Sequence, residues 1–439
     1  MLIPEPELTR KKPNKKMKDN LILRVLRIRP FAYLIASEFF SQFSMNLFNF
    51  SLLIVVFSVA NSSSAVSGVV LAFTIPSILF GIFAGVLVDR WNKKTVLFAT
   101  NIIRALLIIP LAFLHTNLAV IYAVTFGVSV VTQFFIPAES PIIPLLVEKP
   151  LLLSANALFG MGIYASIFLA YAMSGPFLNL FGQANLFIFL AILFLIAGFF
   201  AFLIKGNKAK IEPKRIKVVL NFKQEISDVL KLIFKTKTLS HALFSLILAQ
   251  IIILVLAVIG PGYAQHVLRI KVISFPTIFM IPAVVGITLG ALIIGSFLHK
   301  QSKSALTKFG MILMGISILL LPYGSKVESR MLVHFINFYL PHVLRITMLH
   351  ITIFLAFLLG FATSFVYVPS NAVLQEETSD EWRGKVYGLL NSLVGVVSIL
   401  PVIVVGGLAD LIGVKLVITG TGIVVVAIAL IRIFITDRE

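Results

Sequence analysis

The sequence contains no cysteine. Disulfides, thiolate metal sites and cysteine nucleophiles are thereby excluded. Charge is also scarce: Asp, Glu, Lys and Arg make up 13% of the 439 residues, and only 18 of these are acidic. A soluble domain carries roughly a quarter charged residues, so a soluble surface could not be covered here. The seven histidines (115, 241, 266, 299, 334, 342 and 350) are dispersed, with no H-E-x-x-H pair, and no metal centre is expected. A phosphate loop of the G-x-x-x-x-G-K-[ST] type is missing, and Gly384-Lys385-Val386 lacks the hydroxyl that would hold magnesium. ATP is therefore not expected as the direct energy source, no cofactor is implied, and no convergent cluster suggests an enzyme.

What the chain does have is apolar length. Hydrophobic residues make up 59% of it, mean hydropathy is +1.03, and apolar runs of membrane-spanning length recur along it. Twelve membrane helices are predicted near residues 31–57, 65–88, 95–114, 118–138, 155–179, 184–204, 239–261, 276–298, 306–323, 347–368, 384–408 and 414–434. The expected fold is an all-α polytopic membrane protein. The first thirty residues are polar and basic without a small-residue cleavage site, so they read as a cytosolic tail and not as a signal peptide.

The formal charge of +19 would suggest nucleic acid in a soluble protein. Sorting it by loop gives another meaning. With both termini inside, thirty of the 37 Lys and Arg residues fall on the cytosolic side, and the positive-inside rule selects this orientation in the cell (inner) membrane. The tail and the basic linker at 205–238 are then placed to touch anionic membrane lipid, and no nucleic acid is needed.

That linker divides the chain into an N-terminal half, 31–204, and a C-terminal half, 239–434, followed by a short cytosolic end, 435–439. The halves correspond in places. Gly85-Val-Leu-Val-Asp89-Arg90-Trp-Asn-Lys93-Lys94 is echoed by Gly295-Ser-Phe-Leu-His299-Lys300-Gln-Ser-Lys303, an offset of 210, and Phe135-Ile-Pro137-Ala by Tyr367-Val-Pro369-Ser, an offset of 232. The difference falls in an extra external segment around 324–345 in the second half. Paired six-helix halves are a recurrent transporter plan, with the binding site between them near the midplane.

The loop Gly81, Gly85, Asp89, Arg90, Lys93, Lys94 resembles the signature loop of the major facilitator superfamily, and the resemblance extends over essentially all twelve helices. Phe135-Ile-Pro137-Ala-Glu139-Ser-Pro141-Ile-Ile-Pro144, Ala155-Asn156 and Arg383-Gly384-Lys385-Val-Tyr-Gly388 resemble the branch containing macrolide-efflux proteins and the enterobactin exporter. Ser174-Gly175-Pro176 resembles the Gly-Pro element of exporter families. The resemblance implies that Asp89 latches a cytosolic gate against the start of helix 11 near Arg383. The acid sits where a helix N-terminus would favour it, and Glu139 is expected to pair with Arg90 or Lys93. Many drug/proton antiporters carry an arginine within helix 4, but residues 118–138 contain no basic side chain.

In helix 1, Glu38, Gln42, Asn46 and Asn49 fall within about 80° of one another at a 3.6-residue period. Polar groups in a membrane helix point to a bundle interior or a watery cavity, so this stripe is the leading candidate for a cavity lining, with helix-to-helix hydrogen bonding as the alternative. Arg104 lies deep in helix 3 and calls for a partner, for which Glu38 is the nearest acid in depth. The two form either a protonation-sensitive pair that couples transport to protons or a static ion pair. The second half is thinner in interior polar groups, with Gln250 and Asn391 as its cavity candidates. The expectation is a monomeric secondary transporter with a small-molecule substrate and protons as a candidate coupling ion, exporting an amphipathic compound such as a drug, a siderophore or a related metabolite. A lysophospholipid or lipid flippase is the alternative, ahead of a membrane enzyme or sensor.

Overall fold

The computed structural model describes residues 21–139, 141–204, 236–298, 300–324, 334, 337, 347–378 and 380–436. Among them every regular element is helical. The first twenty residues of the expected tail (1–30), most of the linker (205–235), the core of the extra external segment (325–346 apart from 334 and 337), His299 and the last three residues lie outside the described residues, as do the side chains of Asp89 and Arg383.

Among the described residues, eleven helical stretches are long and apolar enough to cross a bilayer, and one of them, Lys149–Leu203, contains two passes. The split is at Gly182, where φ is +71°, a left-handed conformation open to glycine. The membrane helices are then α1 (Arg29–Ala60), α2 (Ser63–Arg90), α3 (Lys93–Ile108), α4 (Leu118–Glu139), α5 (152–181), α6 (183–203), α7 (Lys237–Gly262), α8 (Ile281–Ser296), α9 (Lys303–Leu320), α10 (Met348–Glu376), α11 (Asp380–Ile412) and α12 (Val414–Thr436). This is the twelve-helix architecture expected from hydropathy.

Helix ends are chemically marked. The Ser62 hydroxyl caps α2 by accepting from the Ala65 amide at 3.2 Å, and the Asn92 side chain accepts from the amides of Lys94 and Thr95 at the start of α3. Helix-internal prolines fall in α2, α4, α5, α7, α10 and α11 (Pro76, Pro137, Pro176, Pro261, Pro369 and Pro401). Each removes a backbone donor and favours a bend.

We call the end carrying Arg29, Arg90, Lys303 and Arg432 the basic end, and the end carrying Asn61, Gly182 and Asp410 the far end. The apolar packing differs between them. At the far end one core unites both halves, including Phe57, Val66 and Val70 from the first and Val258, Ile259, Val402 and Ala409 from the second. At the basic end the core separates. One cluster, with Phe31, Leu34, Phe135 and Ala155, belongs wholly to the first half. Two others, with Leu243 and Leu390 and with Ile294 and Phe365, belong wholly to the second. The halves are thus joined at the far end and parted at the basic end.

Candidate functional site

The polar stripe of α1 faces α3 and α4 and builds a charged cluster inside the first half. Glu38 is 2% exposed and Arg104 is 1% exposed. The Gln42 side-chain amide donates to Glu38 Oε1 at 2.9 Å and to Glu139 Oε2 at 3.3 Å, so one nitrogen holds an oxygen from each of two carboxyl groups. The two carboxyls also contact each other. Arg104 approaches from α3. Its Nη1 donates to Ser41 Oγ at 3.0 Å, and Ser41 in turn donates to Asn101 Oδ1 at 2.8 Å. The guanidinium lies over the ring of Phe135 in α4, 4.3 Å from its centroid, and 5.7 Å from that of Phe194 in α6.

The expected Glu38/Arg104 partnership takes an indirect form. Arg104 acts on Glu38 and Glu139 through charge, and its direct hydrogen bond goes to Ser41. Arg104 Nε and Nη2 and Glu38 Oε2 are buried without a protein partner. The cluster therefore holds unused hydrogen-bonding capacity on both the acid and the base, in a setting where unpaired charge is costly. With both carboxyls ionised it carries one net negative charge, and a single proton neutralises it.

Glu139 is placed differently from its expected role. Its partners are Glu38, Gln42 and Arg104 rather than Arg90 or Lys93. α4 continues through Pro137 to Glu139, and this carries the carboxyl onto the α1 face. Arg90 is exposed, Lys93 donates to the Val88 carbonyl, and Lys94 lies 5.2 Å from the Phe202 ring centroid. The remaining stripe residues are half-buried. Asn46 donates to the Gln42 carbonyl at 2.8 Å, and Asn49 Oδ1 is buried without a protein partner. Of the second-half candidates, Gln250 is half-buried and Asn391 is exposed.

Three residues that the sequence reading did not single out complete the picture. Ser41 and Asn101 anchor Arg104, and their signal was their place one helical turn from marked residues. Tyr164 of α5 is 74% exposed and lies within electrostatic reach of Tyr367 of α10, itself 42% exposed. The two belong to opposite halves. On the same side, a Cβ built on Gly85 of α2 or Gly388 of α11 meets nothing within 4 Å. Further from the basic end the same two helices touch, with Gly395 against Ile78.

The far end is closed by polar contacts between halves. Asp410, at the end of α11, accepts from Ser62 Oγ at 2.6 Å, from the Ser63 amide at 2.7 Å and from the Ser64 amide at 3.0 Å. A carboxylate thus caps the first turn of α2, where the helix dipole favours it. Gln265 donates to Asn61 Oδ1 at 2.9 Å, and Ser67 to the Val402 carbonyl at 2.8 Å. Gly175 brings α5 against the segment preceding α8: a Cβ there would lie 2.2 Å from the Ile273 carbonyl oxygen. The Gly-Pro element thus permits a close approach that any larger residue would block.

This arrangement, parted at one end and sealed at the other, with a charge cluster inside the first half, has relatives. The family model of the Major Facilitator Superfamily matches residues 34–400. Over 399 residues the chain is 23% identical to the uncharacterized MFS-type transporter YfiS of Bacillus subtilis (strain 168), covering 87% of each protein. It is 31% identical over 188 residues to BacE of the same organism, a candidate bacilysin exporter, covering 41% of this chain and 45% of that one. Its fold is similar to the crystal structure of the nucleoside transporter NupG, with a TM-score of 0.71 at 14% identity, covering 94% of this chain and 98% of that one. The chain belongs to the major facilitator superfamily, and is a multi-pass membrane transporter and not an enzyme.

Proposed function

We propose that this protein is a proton-coupled exporter of a small amphipathic compound, working by alternating access in the cell membrane. The excess of Lys and Arg at the basic end supports a cytosolic placement of that end and of both termini. In that orientation the parted face opens to the cytosol and the Asp410 seal faces outward, so the structure represents an inward-open state. Gly81, Gly85, Asp89, Arg90, Lys93, Lys94 and Arg383 then belong to the gate that closes when the protein turns outward. A cleft edged by Tyr164 and Tyr367, with few charges, suits an apolar, partly aromatic substrate such as a lipophilic antibiotic or a siderophore. Asn46, Asn49, Gln250 and Asn391 are its candidate polar contacts. Similarity to BacE over part of the chain favours export over uptake.

The observation that carries the coupling is the single Gln42 amide joining Glu38 and Glu139 beside Arg104. A proton on this carboxyl pair neutralises the cluster that the pair forms with Arg104 and weakens the pair's hold on the guanidinium, which is free to re-pair. Deprotonation restores the attraction. The two states place different electrostatic demands on α1, α3 and α4, which gives a proton a way to bias which face is open.

Accumulation of a lipophilic antibiotic or fluorescent dye, compared between cells with and without the protein, tests export. The expected result is lower accumulation, abolished by a protonophore and by Glu38→Gln. Unchanged accumulation across a broad panel, or lipid scrambling by the purified protein in vesicles without solute movement, would overturn the reading. Export that persists in Glu38→Gln with its pH dependence intact would remove the proton-coupling step and leave the transport step standing.

A further inference from the structure

At the basic end of the second half, α7, α9, α10 and α12 enclose a cavity of about 540 Å³. All of its lining residues belong to that half, so it is distinct from the cleft between the halves. Four cations line it, Lys237, Lys303, Lys308 and Arg432, against two carboxylates, Glu376 and Glu377. One carboxylate, Glu376, is already engaged by an ion pair with Lys303. The balance is positive.

Three further features point the cavity toward an anion. Its wall includes the first residues of both α7 and α9, two long helices whose N-terminal amides and dipoles favour negative charge. Arg432 is held in place by donation to Ser245 Oγ and to the His241 carbonyl at 2.8 Å, with the Phe244 ring centroid 5.2 Å away. Ser370 also lines the cavity. It is 2% exposed, and its hydroxyl is buried without a protein partner. A donor left unsatisfied in an otherwise polar, cationic wall is what a bound acceptor would complete.

We propose that this cavity binds a phosphate-bearing anion, a phosphomonoester or phosphodiester, through Lys237, Lys308, Arg432 and the starts of α7 and α9, with Ser370 donating. A phosphate offers several acceptor oxygens to donors arriving from different directions, which matches ammonium, guanidinium, hydroxyl and helix-end donors at once. The volume exceeds that of a bare phosphate and leaves room for an attached glycerol. Free phosphate, a soluble phosphoester and the headgroup of an anionic lipid all present this chemistry at the level of the basic end.

Thermal unfolding of the purified, delipidated full-length protein in a non-ionic detergent at constant ionic strength tests the site. The probes are inorganic phosphate, glycerol 3-phosphate and phosphatidylglycerol, with chloride and diacylglycerol as controls. At least one phosphate-bearing probe is expected to raise the unfolding temperature saturably. In a Lys237→Gln/Lys308→Gln double variant the apparent Kd is expected to rise about tenfold or more. A response to the soluble probes assigns the site to a free phosphoester, and a response confined to phosphatidylglycerol assigns it to a lipid headgroup. If the double variant does not fold, Ser370→Ala is read instead, with an expected rise in Kd of about threefold. No saturable shift with any phosphate-bearing probe, an equal shift with the controls, or an unaltered Kd in the variants would overturn the proposal.

Discussion

The two halves fill the same region of a common plan in different ways. In the first half, the space between α1, α3 and α4 is filled by Glu38 and Arg104, both buried, and by Gln42 and Glu139, both half-buried. In the second, the space between α7, α9, α10 and α12 is left as an open, basic cavity. The correspondences found in the sequence show where the divergence lies. At an offset of 232, Glu139 answers to Asn371, which instead accepts from the Tyr387 hydroxyl at 2.9 Å. At an offset of 210, Asn101 and Arg104 answer to Met311 and Met314. The second half takes its cation from α12, where Arg432 reaches Met311 Sδ at 3.6 Å. Among the described residues the paired carboxyls, Glu38 and Glu139, both lie in the first half, so the proposed coupling belongs to that half and the proposed anion site to the other.

The sharpest way to break this contrast is to remove the buried cation. Arg104→Met leaves two buried carboxyls beside each other with no counter-charge, and is expected to cost about 3–5 kcal/mol of stability, read by thermal unfolding. Adding Glu38→Gln to it is expected to recover part of the loss. The equivalent change in the second half, Arg432→Met, opens onto a solvated cavity and is expected to cost less. An equal loss for both would erase the difference between a sealed cluster and an open one.

A second test addresses the ends of the molecule, and the lack of cysteine makes the protein a ready background for thiol labelling. Ser67 is 4% exposed between the halves at the far end, so Ser67→Cys is expected to label slowly. Gly175→Leu forces a side chain into the Ile273 carbonyl and is expected to disfavour far-end closure by about 1–3 kcal/mol, speeding that labelling. Asp410→Asn removes the charge that caps α2 and is expected to act in the same direction by about 1 kcal/mol, roughly a fivefold faster reaction. If neither changed the rate, the far-end contacts would not be what holds this face shut.

Much of this organisation was legible in the sequence, for reasons that can be stated. Helix count and the α1 stripe follow from hydropathy and from the helical period, which put Glu38 and Gln42 on one face whatever the neighbours. Arg104 was marked by its depth, since a guanidinium there needs company. The position of Glu139 was not legible. By composition it sits among headgroup-level charges, and only the passage of α4 through Pro137 turns it inward. The Asp410 seal was hidden because it joins residues some 350 positions apart, although a lone acid at the end of helix 11 and the run Ser62-Ser63-Ser64 at the start of helix 2 were both visible. The basic cavity was missed because its cations read individually as topogenic charge, and only the packing of four helices gathers them.

The proposal that protons act on the gates through the carboxyl pair in the first half is checked by the rate of Ser67→Cys labelling, corrected for thiolate reactivity, as a function of pH in the purified protein. The rate is expected to change with pH when Glu38 and Glu139 are present and to be flat when both are replaced by glutamine. The same pH dependence in both proteins would contradict it.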